Sequence, residues 1–467
     1  MRRSSARFLD AVRRDDRGMT LVEVITAMIV FAIIVSGALV GIATTLRISS
    51  DNSARSAATN LASAAIDDAR VEAQQNIVTM SGQTERPAVN GRAYTVTRTL
   101  DWQYTNGTSN RCNAAATGTA AQLLFLQVHI KVTWTGMGSA APVFQDTALA
   151  PTSKINDPSL GTVLVSVQSV TGSGGTAGIV ATVSPATDVP NNTAQPLTVQ
   201  PTTTNGDGCT VAVKVQPGTY TVTLAPSNGQ QYRDQDQQAS PTKTVVVKEG
   251  QSSGASFTYD PAIAVRMNYA SNGSGSVLLP SNLTTSFVST YGTSTTTGAA
   301  SPQYLSPITG GYTVYAGPYD SNTQLPDGST NTKSCLSTDP TTWPTASDGR
   351  VGKPAVGGIG VSATTANVPM GVATISIAKS DTIITARLAP VSSGDPGCKV
   401  PQTLTFSRNA TSGSGSTDVQ VALPYGSWTI TSQRSSTSGA AAVTVRNSGG
   451  IILGVLGYVT LDPRVAP

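Results

Sequence analysis

One histidine in 467 residues, His129, removes every H-E-x-x-H zinc site and every multi-histidine metal set, and no P-loop lysine motif occurs. The four cysteines, Cys112, Cys209, Cys335 and Cys398, contain no C-x-x-C pair, so a zinc or redox thiol site is excluded and structural disulfides are expected instead. Of the three complete pairings, Cys335 with Cys398 and Cys112 with Cys209 is favoured, because the first two both lie in the distal part of the chain. Charged side chains make up only 12% of the chain, against the ~25% usual for globular proteins. No Lys/Arg cluster occurs after residue 18, and most of the formal charge of +4 sits in the first 18 residues. Nucleic-acid binding driven by bulk charge is thereby excluded. The serine-rich stretches around Gly273 to Gly275 and Gly413 to Gly415 are Gly/Ser loops, not the strand-to-helix elbow of a catalytic serine. His129 sits with Gln127 and Lys131 on the polar face of an alternating segment, and Asp234 and Asp236 read as an exposed loop, not a calcium site. No catalytic residue, metal or cofactor is expected, and the chain is not expected to be an enzyme.

No proline precedes Pro87, which leaves the N-terminal stretch free to form an uninterrupted helix. Six arginines (Arg2, Arg3, Arg7, Arg13, Arg14, Arg17) against Asp10, Asp15 and Asp16 make residues 1–18 a basic leader that should stay on the cytoplasmic side of a membrane. From Met19 to Leu46 the only ionisable side chain is Glu23. That run reaches ~42 Å as a helix, more than the ~30 Å hydrocarbon layer, so a single tilted membrane span is expected. A secretory signal would place its cleavage site after the apolar run, but the stretch around Gly41 to Ala43 is a poor one. The stretch from Arg47 to Met80 keeps helical spacing at Leu61, Ala65, Ala69 and Glu72, so the helix should continue beyond the membrane, with Arg47, Arg55 and Arg70 among acids on a solvated face. Gly37 and Gly41 form a small-xxx-small step that would allow close helix contact or local unwinding.

The junction Gly18-Met19-Thr20-Leu21-Val22-Glu23 resembles the type IV prepilin signature, a Gly followed by an apolar stretch of the form x-T-L-V-E. The resemblance implies cleavage after Gly18 by a prepilin peptidase, N-methylation of Met19, and assembly with other pilin subunits through Glu23, whose carboxylate pairs with the amino terminus released by cleavage. Many members begin the mature chain with Phe, where this one has Met19. Beyond the helix, Tyr94 to Leu100 and Leu126 to Trp134 alternate as strands, the latter with Val128, Ile130, Val132 and Trp134 on one face. A helix lying on such an antiparallel sheet is similar to a pilin head.

The chain's 44 glycines and 27 prolines favour short strands and turns in the remainder, where the stretch from Ser321 to Gly349 reads as loop. A turn-to-strand unit recurs at Pro217-Gly218-Thr219-Tyr220-Thr221-Val222, Gly310-Gly311-Tyr312-Thr313-Val314 and Tyr425-Gly426-Ser427-Trp428-Thr429-Ile430. This unit resembles prealbumin-like and CnaB-like surface modules, although the first strand, Gly161 to Val170, lacks the Lys that an internal Lys-to-Asn bond would need. No LPxTG-type sorting tail follows Tyr458 to Pro463.

The expected fold is therefore an α+β pilin-like unit, a long helix packed on an antiparallel sheet, followed by mostly-β, Ig-like or prealbumin-like sandwich domains. The expected divisions are a leader at 1–18, a transmembrane segment at 19–46, a helix-and-sheet head at 47–150, and β modules at 158–260, 261–377 and 378–467. The expected function is that of a minor pilin in a type IV pilus, a single-pass membrane protein with extracytoplasmic modules that reaches the cell surface on assembly. Those modules would be displayed at the tip for adhesion to an unidentified surface ligand. The alternatives are a pseudopilin of a type II secretion or DNA-uptake system, or a membrane-anchored adhesin that does not polymerise.

Overall fold

The computed structural model describes residues 20–77, 80–104, 109–110, 123–138, 140–150, 159–354, 359–360, 364–392, 394–448, 451–452 and 457–465. They fall into two compact units. The first contains the helix up to Gln75 with Gly82–Leu100 and Leu126–Ala150, and the second contains Asn76–Ser81, Asp101–Phe125 and Pro151–Pro467.

In the first unit one helix, Leu21–Asn76, runs for 56 residues, about 84 Å at ~1.5 Å per residue. It passes straight through Gly37 and Gly41, so neither glycine unwinds it, and among the described residues an added Cβ at either would meet nothing within 4 Å. The helix changes character at Ala54. Every side chain from Thr20 to Ser53 is exposed, whereas Ala54, Ala58, Ala62, Ile66 and Ala69 are buried. Spacings of four and three put these five on one stripe, and four of them are alanine, which lets the helix axis come close to what it covers. Of the four residues read at helical spacing, Ala69 lies on this stripe and Leu61, Ala65 and Glu72 on its half-buried flank.

The covered surface is a sheet in the order Gln83–Glu85, Arg92–Tyr104, Leu123–Trp134, Val143–Leu149. Alternation buries Tyr94, Val96 and Leu100 on one strand and Leu126, Val128, Ile130, Val132 and Trp134 on the next. Polar contacts tie the helix down. The Arg98 guanidinium, 6% exposed, meets Glu72 at 2.7 Å, the Tyr94 hydroxyl donates to the Ala54 carbonyl at 3.5 Å, and Ser63 donates to Gln145 at 3.3 Å.

The second unit holds three apolar cores, each fed by two sheets. In the first, Thr242–Val247, Gly218–Pro226 and Ile179–Pro185 form one sheet, and Ser252–Thr258, Gly161–Gln168 and Cys209–Val215 the other. Val165, Ile179, Tyr220, Leu224 and Phe257 meet between them. In the second, Gln303–Leu305, Ile263–Tyr269 and Thr365–Val368 share Val265, Phe287, Tyr312 and Val368 with a sheet of Gly292–Thr297, Thr284–Ser289 and Thr313–Ala316. In the third, Ser416–Leu423, Gly371–Ala378 and Thr444–Ser448 face a sheet ordered Thr403–Ser407, Ile383–Leu388, Gly426–Gln433, Tyr458–Leu461, Ile451–Ile452, around Ile375, Phe406, Trp428 and Val459.

Two features differ from the sequence reading. Gly371–Ala378 does not end the second module, because all eight of its residues pair antiparallel with Ser416–Leu423 and Ala373, Ile375 and Ile377 enter the third core. The second module is already closed by Thr365–Val368, which lies parallel to Ile263–Tyr269, as Ser252–Thr258 lies parallel to Gly161–Gln168 in the first. The stretch from Ser321 to Gly349, read as loop, is a bonded insertion. Cys335 is joined to Cys398 of the third module, and Val351–Gly352 pairs with Arg464–Val465. Arg464 grips the buried carboxylate of Asp462 through Nε and Nη2 at 2.9 and 2.8 Å, donates to the Pro344 carbonyl at 2.8 Å, and lies 5.4 Å from the Trp343 ring centre.

The recurring turn has one physical purpose. Gly218, Gly311 and Gly426 all have positive φ (153°, 69° and 132°), and each precedes a fully buried aromatic, Tyr220, Tyr312 or Trp428. At Gly218 an added Cβ would lie 2.4 Å from the Ala194 nitrogen, and at Gly311 2.5 Å from the Ile359 oxygen. Gly218→Ala should therefore lose about 1–3 kcal/mol of first-module stability, read as an earlier denaturant midpoint by intrinsic fluorescence, whereas Gly229→Ala, with positive φ but open space around it, should lose less. Arg98→Met should leave Glu72 without its cation and lower first-unit stability by about 1–3 kcal/mol, and the loss should shrink in the Arg98→Met/Glu72→Gln double variant.

Candidate assembly site at the head of the helix

The helix begins at a capping box. Thr20 stands at the N-cap, and its Oγ1 accepts from the Glu23 amide at 3.3 Å. Glu23 Oε2 in turn accepts from the Thr20 amide at 3.4 Å and the Thr20 hydroxyl at 3.2 Å. Each side chain thus satisfies a backbone donor that the helix leaves open at its start, and the carboxylate sits at the positive end of the helix dipole. The T-x-x-E spacing that produces this box is legible in Thr20-Leu21-Val22-Glu23, although the sequence reading gave Glu23 only an assembly role.

Both contacts to Glu23 fall on Oε2 and both are long for hydrogen bonds. Among the described residues Oε1 has no partner, so the carboxylate keeps the capacity to accept from a cation. Around it the helix offers no other polar group to an outside partner. Thr26, Ser36, Thr44 and Thr45 return their hydroxyls to carbonyls four residues back, at 2.7 to 2.9 Å, which leaves the exposed surface of Leu21, Val22, Met28, Phe31, Ile34 and Leu39 apolar. Gly18 and Met19, the expected cleavage and methylation positions, lie outside the described residues.

The other residues singled out do not converge on chemistry. His129 Nδ1 lies 2.9 Å from Asp146 Oδ1 across paired strands, a hydrogen bond on the sheet surface. Asp234 Oδ1 accepts from the amides of Asp236 and Gln238 at 3.0 and 2.6 Å, which spends it on shaping its own loop, and burial pushes its carboxyl above the usual range. Among the described residues no group of three or more His, Cys, Asp or Glu could hold a metal ion. Cys209 is disulfide-bonded, and Cys112 lies outside the described residues.

Three comparisons bear on the chain. No curated protein matches it. Among solved structures the streptococcal ancillary pilin is similar over 63% of this chain and 96% of its own, at 9% identity and a TM-score of 0.18, a likeness too slight to assign the fold. The prokaryotic N-terminal methylation motif matches residues 13–39. The chain therefore carries the N-terminal methylation motif of prepilin-type subunits, at the start of a helix long and apolar enough to cross a membrane.

Proposed function

We propose that the protein is a minor pilin, a sparse structural subunit of a type IV pilus or related filament. Prepilin peptidase cuts after Gly18 and the new amino group of Met19 is methylated. That amine stands four positions before Glu23 in the sequence. A carboxylate in hydrocarbon costs roughly 2.5–3.5 kcal/mol near the bilayer centre, and a cation beside Oε1, on the same helix or a neighbouring subunit, offsets that cost. Pairing to a neighbour fixes the stagger between adjacent helices as they leave the membrane for the filament. The later half of the helix needs no such partner, because its alanine stripe is already sealed against its own sheet.

The observation that carries this reading is the match over residues 13–39, placed where a capping box opens a helix whose first 30 or so residues are bare on every side. The three β cores beyond it, read as prealbumin-like or Ig-like sandwiches on the extracytoplasmic side, are too bulky for a thin repeating shaft and suit a tip or sparse position. They would then be the part displayed for adhesion.

Three variants test the reading. Gly18→Trp should leave the precursor uncut, seen by mass spectrometry as a native chain still beginning at Met1. Glu23→Val should be cut normally yet be missing from sheared filaments. Thr20→Ala should be cut and should fray the first turn, with a loss of about 0.5–2 kcal/mol, read as faster amide exchange at Leu21 to Val24 in micelles. Normal filament incorporation of the first two variants would refute the proposal.

A further inference from the structure

A groove opens between the first and second β modules, in a part of the chain that the assembly role does not use. One wall is the loop 233–238, and the other is the hairpin of Thr284–Ser289 and Gly292–Thr297 together with the strand Gln303–Leu305. Tyr291, at the hairpin tip, and Tyr304 both line it, and they are 49% and 39% exposed. By contrast Tyr220, Tyr259 and Tyr312, whose hydroxyls are bonded inward, are fully buried. Two flat apolar rings with polar tips are thus held at a concave surface with nothing packed over them.

The opposite wall is built to stay in place. Gln237 adopts φ 64°, a strained conformation for its residue type, and spends its whole side-chain amide across the module boundary. Its Nε2 donates to the Tyr312 hydroxyl at 2.8 Å and its Oε1 accepts from the Ser306 amide at 2.9 Å. The adjoining groups that line the groove are left available. Asp236 is exposed, and Gln235 uses only Oε1, to accept from Thr258 at 3.1 Å. Arg233 is anchored through Nη1 to the Tyr232 carbonyl at 2.7 Å.

We propose that this groove is a binding site for a neutral oligosaccharide. Sugar rings present C–H faces that stack on exposed tyrosines, and their neighbouring hydroxyls each donate and accept. A planar amide, a carboxylate and a guanidinium side by side match such hydroxyl pairs two bonds at a time. One cation and one anion cancel, so phosphate, sulfate or sialic acid gains nothing from the charge. Phe287 and Leu305, which also line the groove, are buried, so the two rings are the main apolar surface it offers. The inference deepens the display role proposed above by naming a ligand class, but its chemistry does not depend on filament assembly.

The test uses the full-length chain in detergent micelles on a printed array of neutral, sialylated and sulfated oligosaccharides, with the retained neutral sugars then titrated calorimetrically. Neutral oligosaccharides should be retained, and the Tyr291→Ala/Tyr304→Ala double variant should bind them at least about tenfold more weakly while unfolding at the same denaturant concentration. Gln235→Ala/Asp236→Asn, which removes polar groups that line the groove, should weaken binding in the same direction. Retention of charged sugars alone, no retention, or unchanged affinity in both variants would overturn the proposal. Filament incorporation of the tyrosine double variant is scored separately, so failure to bind sugar and failure to assemble are distinguishable.

Discussion

A helix with apolar side chains on all sides persists only where a medium or a partner takes those side chains in. In this protein that condition holds from Leu21 to Leu46, and residues 47–53, mostly polar and exposed, lie between that stretch and the buried stripe that opens at Ala54. Ahead of it, backbone donors and acceptors are satisfied within the helix and by Thr and Ser hydroxyls folded back on carbonyls, the arrangement that hydrocarbon demands. After it, small side chains let a sheet close over one face. The same rod is thus compatible with lipid at one end and committed to its own domain at the other. Glu23, with one carboxylate oxygen satisfied only by weak capping bonds, is the polar exception in the part that must find company elsewhere.

Much of this was legible beforehand because the signals are local. The uninterrupted apolar run, the late first proline and the strict alternation in Leu126 to Trp134 each depend on residues a few positions apart, and helix and strand lie where those patterns placed them. The T-x-x-E cap was equally local and was overlooked because Glu23 already had a role. What escaped the sequence was set by distant partners. Nothing in Ala373-Thr374-Ile375-Ser376-Ile377 says that Ser416–Leu423 will claim it before a second-module strand does. The insertion looked like loop because its order comes from Cys398, Asp462 and Arg464, which lie between about fifty and more than a hundred residues further on.

The recurring Gly-aromatic turn shows how similar cores can be specified by very different sequences. Gly218 and Gly426 each start a strand in which the next inward side chain is a large ring, Gly311 stands directly before Tyr312 and the strand Thr313–Ala316, and each ring's polar atom finds a fixed acceptor. Tyr220 donates to the Gln195 carbonyl, Tyr312 to the Ser306 carbonyl and Trp428 to the Pro424 carbonyl, at 3.1, 2.6 and 2.9 Å. Burial and a satisfied hydrogen bond together fix where each core begins, and alternation carries the strand on from there.

The parallel pairing that closes the first two modules has a mechanical consequence. Ser252–Thr258 lies beside Gly161–Gln168 over seven matched residues, and Thr365–Val368 beside Ile263–Tyr269 over four. When a chain is pulled from both ends, parallel terminal strands are dragged past each other lengthwise, so every bridging bond bears load together and none is peeled open first. A module closed this way resists tension in shear, which suits a domain strung between an anchor and whatever it holds.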